Sequence, residues 1–114
     1  MAQYSTTLDD AFQALADPTR RAVLSRLGTG PASISELAGP FDMALPSFMK
    51  HIRLLEKSGW IRTRKVGRVR TCTLDTASYA AVENWLLTQR DVWEGRTDRL
   101  ETFAASIRIE EKEL

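Results

Sequence analysis

The stretch PSFMKHIRLLEKSGWIRTRKVGRVR, residues 46–70, combines two different periodicities with half of the lysine and arginine residues of the chain. As far as Leu55 its apolar residues recur at helical spacing, whereas beyond Gly59 β-branched and aromatic residues favour strands. Eight basic residues against the single acid Glu56 give the stretch a charge of +7; the whole chain carries +1, so the remainder carries −6. These residues predict an amphipathic helix followed directly by a basic hairpin.

Helix start and stop signals divide the preceding sequence into three helices. An i, i+4, i+7 apolar spacing predicts a first helix that ends near Ala16, because Asp17 and Pro18 match the N-cap and first position of the next helix. The second helix is predicted to stop at Gly28. Residues 33–36, SISE, form a capping box in which serine and glutamate each satisfy a free backbone N–H, and they predict a short third helix.

The hairpin is predicted to comprise strands from Trp60 to Arg64 and from Val69 to Leu74. We expect a connection longer than two residues, with Gly67 in the left-handed region, because Val66 resists the positive φ that a primed two-residue turn requires. Cys72, the sole cysteine, falls in the second strand and is predicted to be a small buried hydrophobic residue rather than a redox switch.

The last helical region is predicted to begin at Asp75 or Thr76, to run to about residue 107, and to be bent or divided at Gly95. Apolar residues recur in it at intervals of seven. Such a patch is too large for a monomer, so we expect a homodimer. The predicted interface residues are Phe12, Val82, Trp85, Leu86, Trp93, Leu100, Phe103 and Ile107. Trp85, Leu86 and Trp93 have a second interpretation, as the lining of a pocket for a small-molecule effector.

Composition argues against several classes of protein. With 114 residues, 43% hydrophobic and 27% charged, the chain is predicted to be one folded domain. It has no apolar run near the roughly 20 residues that span a bilayer and no signal peptide, and one cysteine suits a reducing compartment, so we expect a cytoplasmic protein with no membrane partner. Without a glycine-rich phosphate loop, a nucleophile–base set or a cluster of metal ligands, we expect no catalytic residue, metal, cofactor or enzymatic activity.

The order of elements predicts a mainly α fold with a small β-hairpin, a winged helix-turn-helix that dimerises through terminal helices. Its single domain, residues 1–114, comprises a helix-turn-helix at about 33–58, a wing at about 60–74, C-terminal dimerisation helices at about 76–107 and a frayed tail at 108–114. The second helix of such a unit can enter the major groove of DNA, and the wing can lie along the backbone beside it.

Each candidate DNA-binding residue lies on the predicted amphipathic helix or on the hairpin. Ser47 and Lys50 are predicted to contact base edges, and the wing arginines to contact phosphates. Leu45 and Pro46 have two equal interpretations, contact with thymine methyl groups or hydrophobic packing. His51 is predicted to pack, together with one phosphate hydrogen bond, rather than to bind a metal. The candidates are Leu45, Pro46, Ser47, Lys50, His51, Arg53, Lys57, Arg62, Arg64, Lys65, Arg68 and Arg70.

Five segments resemble the ArsR family of bacterial winged-helix repressors, over most of residues 7–107. They are ALADPTRRAVLSRL (14–27), ISELAGPFDM (34–43), PSFMKHIRLLEKSGWI (46–61), GRVRTCTLD (67–75) and WEGRTDRLE (93–101). The last is similar to the C-terminal helix of members that do not sense metals. The resemblance implies a homodimer whose terminal helices form the interface and whose recognition helices each bind half of an inverted-repeat operator in double-stranded DNA.

The chain departs from the metal-sensing members of that family. Those members carry a Cys-x-Cys pair in the first helix of the helix-turn-helix, or carboxylate and histidine ligands on the last helix. Here residues 34–37 read ISEL and the last helix has no histidine, so we expect no metal switch. The expected function is that of a dimeric, sequence-specific transcriptional repressor. The alternative is a winged-helix protein-interaction module that uses its basic face to bind an acidic partner.

Overall fold

The structure, a computed structural model, describes the backbone of residues 2–113 and the side chains of residues 7–95 and 99–107. Its elements are α1 Ala2–Leu15, α2 Pro18–Leu27, β1 Ala32–Ser33, α3 Ile34–Ala38, α4 Leu45–Lys57, β2 Ile61–Val66, β3 Val69–Leu74 and α5 Thr76–Glu113. The fold is mainly α with a small antiparallel sheet, as predicted. It is a winged helix-turn-helix in which α3 and α4 form the helix-turn-helix and β2 and β3 form the wing.

Side-chain caps begin three of the helices where the sequence predicts them. Asp17 accepts a hydrogen bond from the backbone N–H of Arg20 at 3.0 Å and so opens α2. Ser33 accepts one from the N–H of Glu36 at 3.1 Å and opens α3. Asp75 accepts one from the N–H of Ala77 at 3.0 Å and opens α5. Each oxygen satisfies a backbone donor that the first turn of a helix leaves free.

The connection in the wing differs from the prediction. Val66 and Val69 pair directly across the two strands, so the connection consists of Gly67 and Arg68 alone. Gly67 has a φ of +63°, whereas the φ of Arg68 is not positive, which is the pattern of a type II′ turn. The expectation of a longer loop was wrong because it placed Val66 in the turn; with Val66 as the last strand residue, glycine occupies the first turn position.

The sheet contains a strand that the sequence does not predict. Strand β1 pairs antiparallel with β3, with Ala32 opposite Cys72 and Ser33 opposite Thr71, so the order is β1-β3-β2. Two residues are too few for an alternating pattern to be recognised. The added strand joins the start of α3 to the wing and leaves β2 at the edge of the sheet.

The core lies within residues 1–82, which form one compact unit. From α4 it receives Phe48, Ile52 and Leu55, each no more than 1% exposed. The other elements contribute Ala11, Ala14, Val23, Leu27, Ala32, Leu37, Trp60, Ile61, Cys72 and Val82. The indole N–H of Trp60 also donates to the carbonyl of Ala11 at 2.9 Å. The residue that connects α4 to the wing is thereby fixed to α1.

The second unit, residues 83–114, lies within α5 as far as Glu113. The helix is not divided at Gly95, and it continues six residues past its predicted end at residue 107. The predicted fraying of residues 108–114 falls on residues whose side chains the structure does not describe. In the described part of the chain, no helix is both long enough and apolar enough to cross a membrane.

Gly59 follows the end of α4 and lies against Ser78 in the first turn of α5. We expect Gly59→Ala to destabilise the protein. Its φ is +83°, and a Cβ here would lie 2.6 Å from Oγ of Ser78, a buried side chain that donates to the carbonyl of Ser58. The left-handed backbone alone costs an alanine about 1–2 kcal/mol, so the total loss in the free energy of unfolding should be about 2 kcal/mol or more, measured by urea denaturation.

Gly95→Ala is the matched control for this prediction. Gly95 lies inside α5, and a Cβ there meets none of the described side chains within 4 Å. The same substitution should therefore stabilise the protein by about 0.5–1 kcal/mol, because alanine loses less conformational entropy in a helix. Equal stability of Gly59→Ala and the wild type would contradict the proposed strain at this junction.

Candidate nucleic-acid interface

Helix α4 presents one apolar and one polar side. Ser47, Lys50, Arg53 and Lys57 are all exposed, opposite the buried residues that α4 contributes to the core. Leu45 shares the apolar side by its angle around the helix but is 57% exposed, because it is the first helical residue and the core does not cover it. The start of α4 therefore offers both apolar and polar groups to a ligand.

The N-terminus of α4 also leaves backbone donors open. Its N-cap, Ala44, makes no side-chain hydrogen bond, Pro46 has no N–H, and the N–H of Phe48 donates to the carbonyl of Ala44. The N–H groups of Leu45 and Ser47 therefore precede the first intrahelical hydrogen bond. Together with the positive end of the helix dipole, such groups bind phosphate oxygens.

The register of the wing divides its basic residues between two faces. Arg62 and Arg64 lie opposite Thr73 and Thr71 on one face, whereas Lys65 lies directly opposite Arg70 on the other. Like charges in directly opposed positions destabilise a strand pair. Arg68 occupies the second position of the turn at the tip.

Two of the eight basic residues are held by neighbours within the protein. The Nε atom of Arg62 lies 2.9 Å from Oδ2 of Asp75, and Nη1 of Arg70 donates to Oγ1 of Thr63 at 3.1 Å. The backbone N–H of Ala77, followed by Arg62, lowers the pKa of Asp75. In the described part of the chain the other six cations form no salt bridge, and all are exposed: Lys50, Arg53, Lys57, Arg64, Lys65 and Arg68.

His51 is part of a junction between helices. Its Nδ1 lies 3.1 Å from Nη1 of Arg20 and 3.8 Å from Oδ2 of Asp17. Because a guanidinium only donates, Nδ1 accepts and the ring proton lies on Nε2. Arg20 also donates to the carbonyls of Ala14 at 2.8 Å and Gln13 at 3.0 Å. No local pattern in the sequence indicates this role of Arg20, since His51 lies 31 residues away.

Glu56 is a second residue with a structural role that the sequence did not predict; there it was noted only as the single acid in a basic stretch. Its Oε2 accepts hydrogen bonds from the N–H of Thr63 at 3.1 Å and from Oγ1 of the same residue at 2.5 Å. The carboxylate thus connects the last turn of α4 to the wing. Within the described residues, no group of three His, Cys, Asp or Glu side chains is placed to hold a metal ion.

The residues predicted to form a dimer interface fall into two groups. Phe12 packs against the core and Val82 belongs to it. The other six are at least 40% exposed: Trp85, Leu86, Trp93, Leu100, Phe103 and Ile107. Leu87 and Val92, which the prediction did not include, are exposed too. A large apolar surface therefore lies along α5.

A mostly apolar cleft of about 320 Å³ lies in the first unit. It is lined by Leu24, Trp60, Leu74, Asp75, Thr76 and Tyr79. Neither Trp85 nor Trp93 lines it.

Comparisons with known proteins agree with this geometry. The helix-turn-helix domain family matches residues 15–64. The HTH-type transcriptional regulator Rv2034 of Mycobacterium tuberculosis is 38% identical over 74 residues, which are 65% of this chain and 69% of that protein. The transcriptional repressor SdpR of Bacillus subtilis is 29% identical over 80 residues, 70% of this chain and 89% of SdpR. The crystal structure of the ArsR family transcriptional regulator RHA00566 is 67% identical, with a TM-score of 0.77, and the match covers 82% of this chain and 97% of that one.

Asp17 is expected to stabilise the protein through its charge, in a pH-dependent way. Burial acts to raise its pKa, but the hydrogen bond from the N–H of Arg20 and nearby positive charge lower it below 3.8 overall. A lowered folded-state pKa gives stability that is present above the unfolded-state pKa and is lost as the pH falls through the folded-state value. Asp17→Asn should therefore reduce the free energy of unfolding at pH 7, and this difference should shrink as the pH falls below 3.8.

Asp17→Ala separates capping from charge in the same urea titrations. Asparagine caps a helix as well as aspartate does, whereas alanine loses the cap at a cost of about 1 kcal/mol. Asp17→Ala should thus remain less stable than Asp17→Asn even at low pH. A difference between Asp17→Asn and the wild type that does not change with pH would contradict the assigned role of the charge.

Proposed function

The chain belongs to the ArsR family of transcriptional regulators, and we propose that it is a dimeric repressor that binds an inverted-repeat operator in double-stranded DNA. The observation that carries the proposal is the placement of six exposed cations, without a salt bridge in the described part of the chain, on α4 and the wing that follows it. DNA supplies a matching row of phosphates, and cations that neutralise them supply sequence-independent affinity.

The wing supports this proposal through its own electrostatics. Lys65 and Arg70 face each other across the strands, an arrangement that costs stability unless an anion lies near both. Arg64 and Arg68 extend the same charge along the outer face and the tip. Phosphates are the chemical class that relieves this repulsion along an extended surface.

The residues of α4 and the wing divide into three roles in the proposed complex. Ser47 and Lys50 contact base edges, with Leu45 and Pro46 beside them at thymine methyl groups. Arg53, Lys57, Arg64, Lys65 and Arg68 contact phosphates. Arg62 holds the wing in place through Asp75, and Arg70, which also donates to Thr63, shares a phosphate with Lys65. His51 contributes its Nε2–H to a phosphate while its other nitrogen remains bound to Arg20.

Dimerisation is proposed through the apolar side of α5. Six predicted interface residues on this helix are exposed, and burying them against a second copy would remove them from water. Two-fold symmetry then presents two copies of α4 to two half-sites of opposite orientation, which is why the operator should be an inverted repeat. The relative SdpR is a repressor, and this supports repression as the mode of action.

The proposal is tested by titrating the protein against a DNA fragment from upstream of its own gene, with random DNA as competitor. We expect a discrete complex at nanomolar concentration, with the logarithm of the binding constant falling linearly with the logarithm of salt concentration. Equal binding of the fragment and random DNA at moderate salt would contradict the proposal. It would favour the alternative, a protein-interaction module that binds an acidic partner.

Lys50→Ala and Arg68→Ala should have different effects, because one contact is proposed with a base and the other with a phosphate. Lys50→Ala should lower the ratio of operator to random affinity by roughly ten-fold or more. Arg68→Ala should weaken both affinities alike and flatten the salt dependence by about 0.9 of a unit of log–log slope. Equal loss on both DNAs for Lys50→Ala would contradict its role at the bases.

Leu100→Lys should separate the dimer into monomers, because it places a charge in the proposed apolar interface. Sedimentation equilibrium should show a shift to the monomer mass, and operator affinity should fall by roughly ten-fold or more as one half-site is lost. Thr102→Lys, on the opposite side of α5, is the matched control and should leave the dimer intact. A Leu100→Lys protein that remains dimeric would contradict this interface.

A further inference from the structure

We propose that Glu56 is a positioning residue that holds the wing against α4 and thereby determines how well the protein distinguishes its operator from random DNA. This inference rests on the proposed function. Glu56 itself makes no contact with DNA in the proposal; it acts through Thr63 and Arg70.

The contacts of Glu56 connect three elements through one carboxylate oxygen. Oε2 accepts from both the N–H and the hydroxyl of Thr63, and that hydroxyl oxygen accepts in turn from Nη1 of Arg70. Glu56 lies on α4, Thr63 on β2 and Arg70 on β3. The chain of hydrogen bonds therefore runs from the recognition helix across both strands of the wing.

The position of β2 in the sheet explains why the carboxylate is useful there. Strand β2 is at an edge, because the order is β1-β3-β2, so N–H groups that point away from β3 have no strand partner. Glu56 accepts from one of them. A charged acceptor forms a hydrogen bond roughly twice as strong as a neutral one, so this contact constrains the edge strand more than an amide would.

The same carboxylate opposes DNA binding through its charge. Glu56 is the only acid in residues 46–70 and is exposed, and it lines a cleft of about 280 Å³ together with Met49, Ile52, Arg53, Thr63 and Arg70. A negative charge on this surface repels phosphates and weakens sequence-independent affinity. Its contribution to operator binding must therefore be geometric.

The relative position of α4 and the wing matters more for binding to the operator than for binding to random DNA. Operator binding requires base contacts from α4 and phosphate contacts from the wing at the same time, so the two elements must be held at a fixed relation. On random DNA the base contacts are absent, and charge alone suffices. The ratio of the two affinities consequently reports the positioning role.

The experiment measures this ratio for Glu56→Ala, Glu56→Gln and Thr63→Val. Both Glu56 variants lose the negative charge, so random DNA should be bound as tightly as by the wild type or a few-fold more tightly. Glu56→Ala should lower the operator-to-random ratio by about ten-fold, and Glu56→Gln by less, because the amide oxygen still accepts from Thr63, though without a charge. Thr63→Val changes no charge and should lower the ratio without changing affinity for random DNA.

Controls separate positioning from the other roles of a glutamate. Glu83→Ala removes an exposed charge from α5 and should leave the ratio unchanged. If Glu56 acted only as a charge, both affinities would rise together; if it only stabilised the fold, both would fall together. If Glu56→Ala fails to fold in urea titrations, Thr63→Val decides the question alone. The double variant should lower the ratio no further than Glu56→Ala.

The outcomes also distinguish this inference from the proposed function. A wild-type protein that prefers its operator, together with variants whose ratios stay within about two-fold of wild type, would overturn the role of Glu56 and leave the repressor proposal standing. A wild-type protein without preference would overturn both.

Discussion

The orientation of α4 depends on the guanidinium of Arg20. It donates to the carbonyls of Gln13 and Ala14 at the end of α1, and to Nδ1 of His51 on α4. Its own backbone N–H donates to Asp17, so Arg20 also takes part in the N-terminal cap of α2. The apolar side of α4 is buried in the core, but hydrophobic burial is not directional. The hydrogen bonds of Arg20 select one orientation from those that the core would allow.

Once α4 is oriented, further contacts place the wing and its exposed cations relative to it. Trp60 fixes the start of the wing to α1, and Asp75 binds Arg62 at the base of the wing while it caps α5. Each contact lies where one element ends and the next begins. The exposed cations therefore project from elements whose junctions are held by hydrogen bonds. Such a rigid arrangement favours simultaneous contact with a groove and with phosphates.

Local signals in the sequence were sufficient for the starts of α2, α3 and α5, because a cap and the N–H that it binds are two or three residues apart. Asp17, Ser33 and Asp75 are the examples. Pairings between distant residues left no such pattern. The partner of His51 is 31 residues away, and a run of basic residues shows its charge but not that Arg62 and Arg70 are already bound. The strand β1 was too short to show a period. The turn at Gly67 was predicted wrongly because Val66, the last residue of β2, was assigned to the turn.

The two residue types that occur once in this chain, cysteine and histidine, do not form a reactive or metal-binding site in the described structure. Burial, followed by the charge of Glu56, raises the pKa of the sole cysteine, Cys72, and this outweighs the opposing effect of Arg70. A buried thiol that stays protonated is a weak nucleophile and a poor metal ligand. The sole histidine is held by Arg20 through one of its two nitrogens. Exposed lysines and arginines, residue types that occur many times in the chain, are what the surface offers to a partner. Their position indicates their role. A cation that has no salt bridge and lies beside other cations is stabilised most by binding a polyanion.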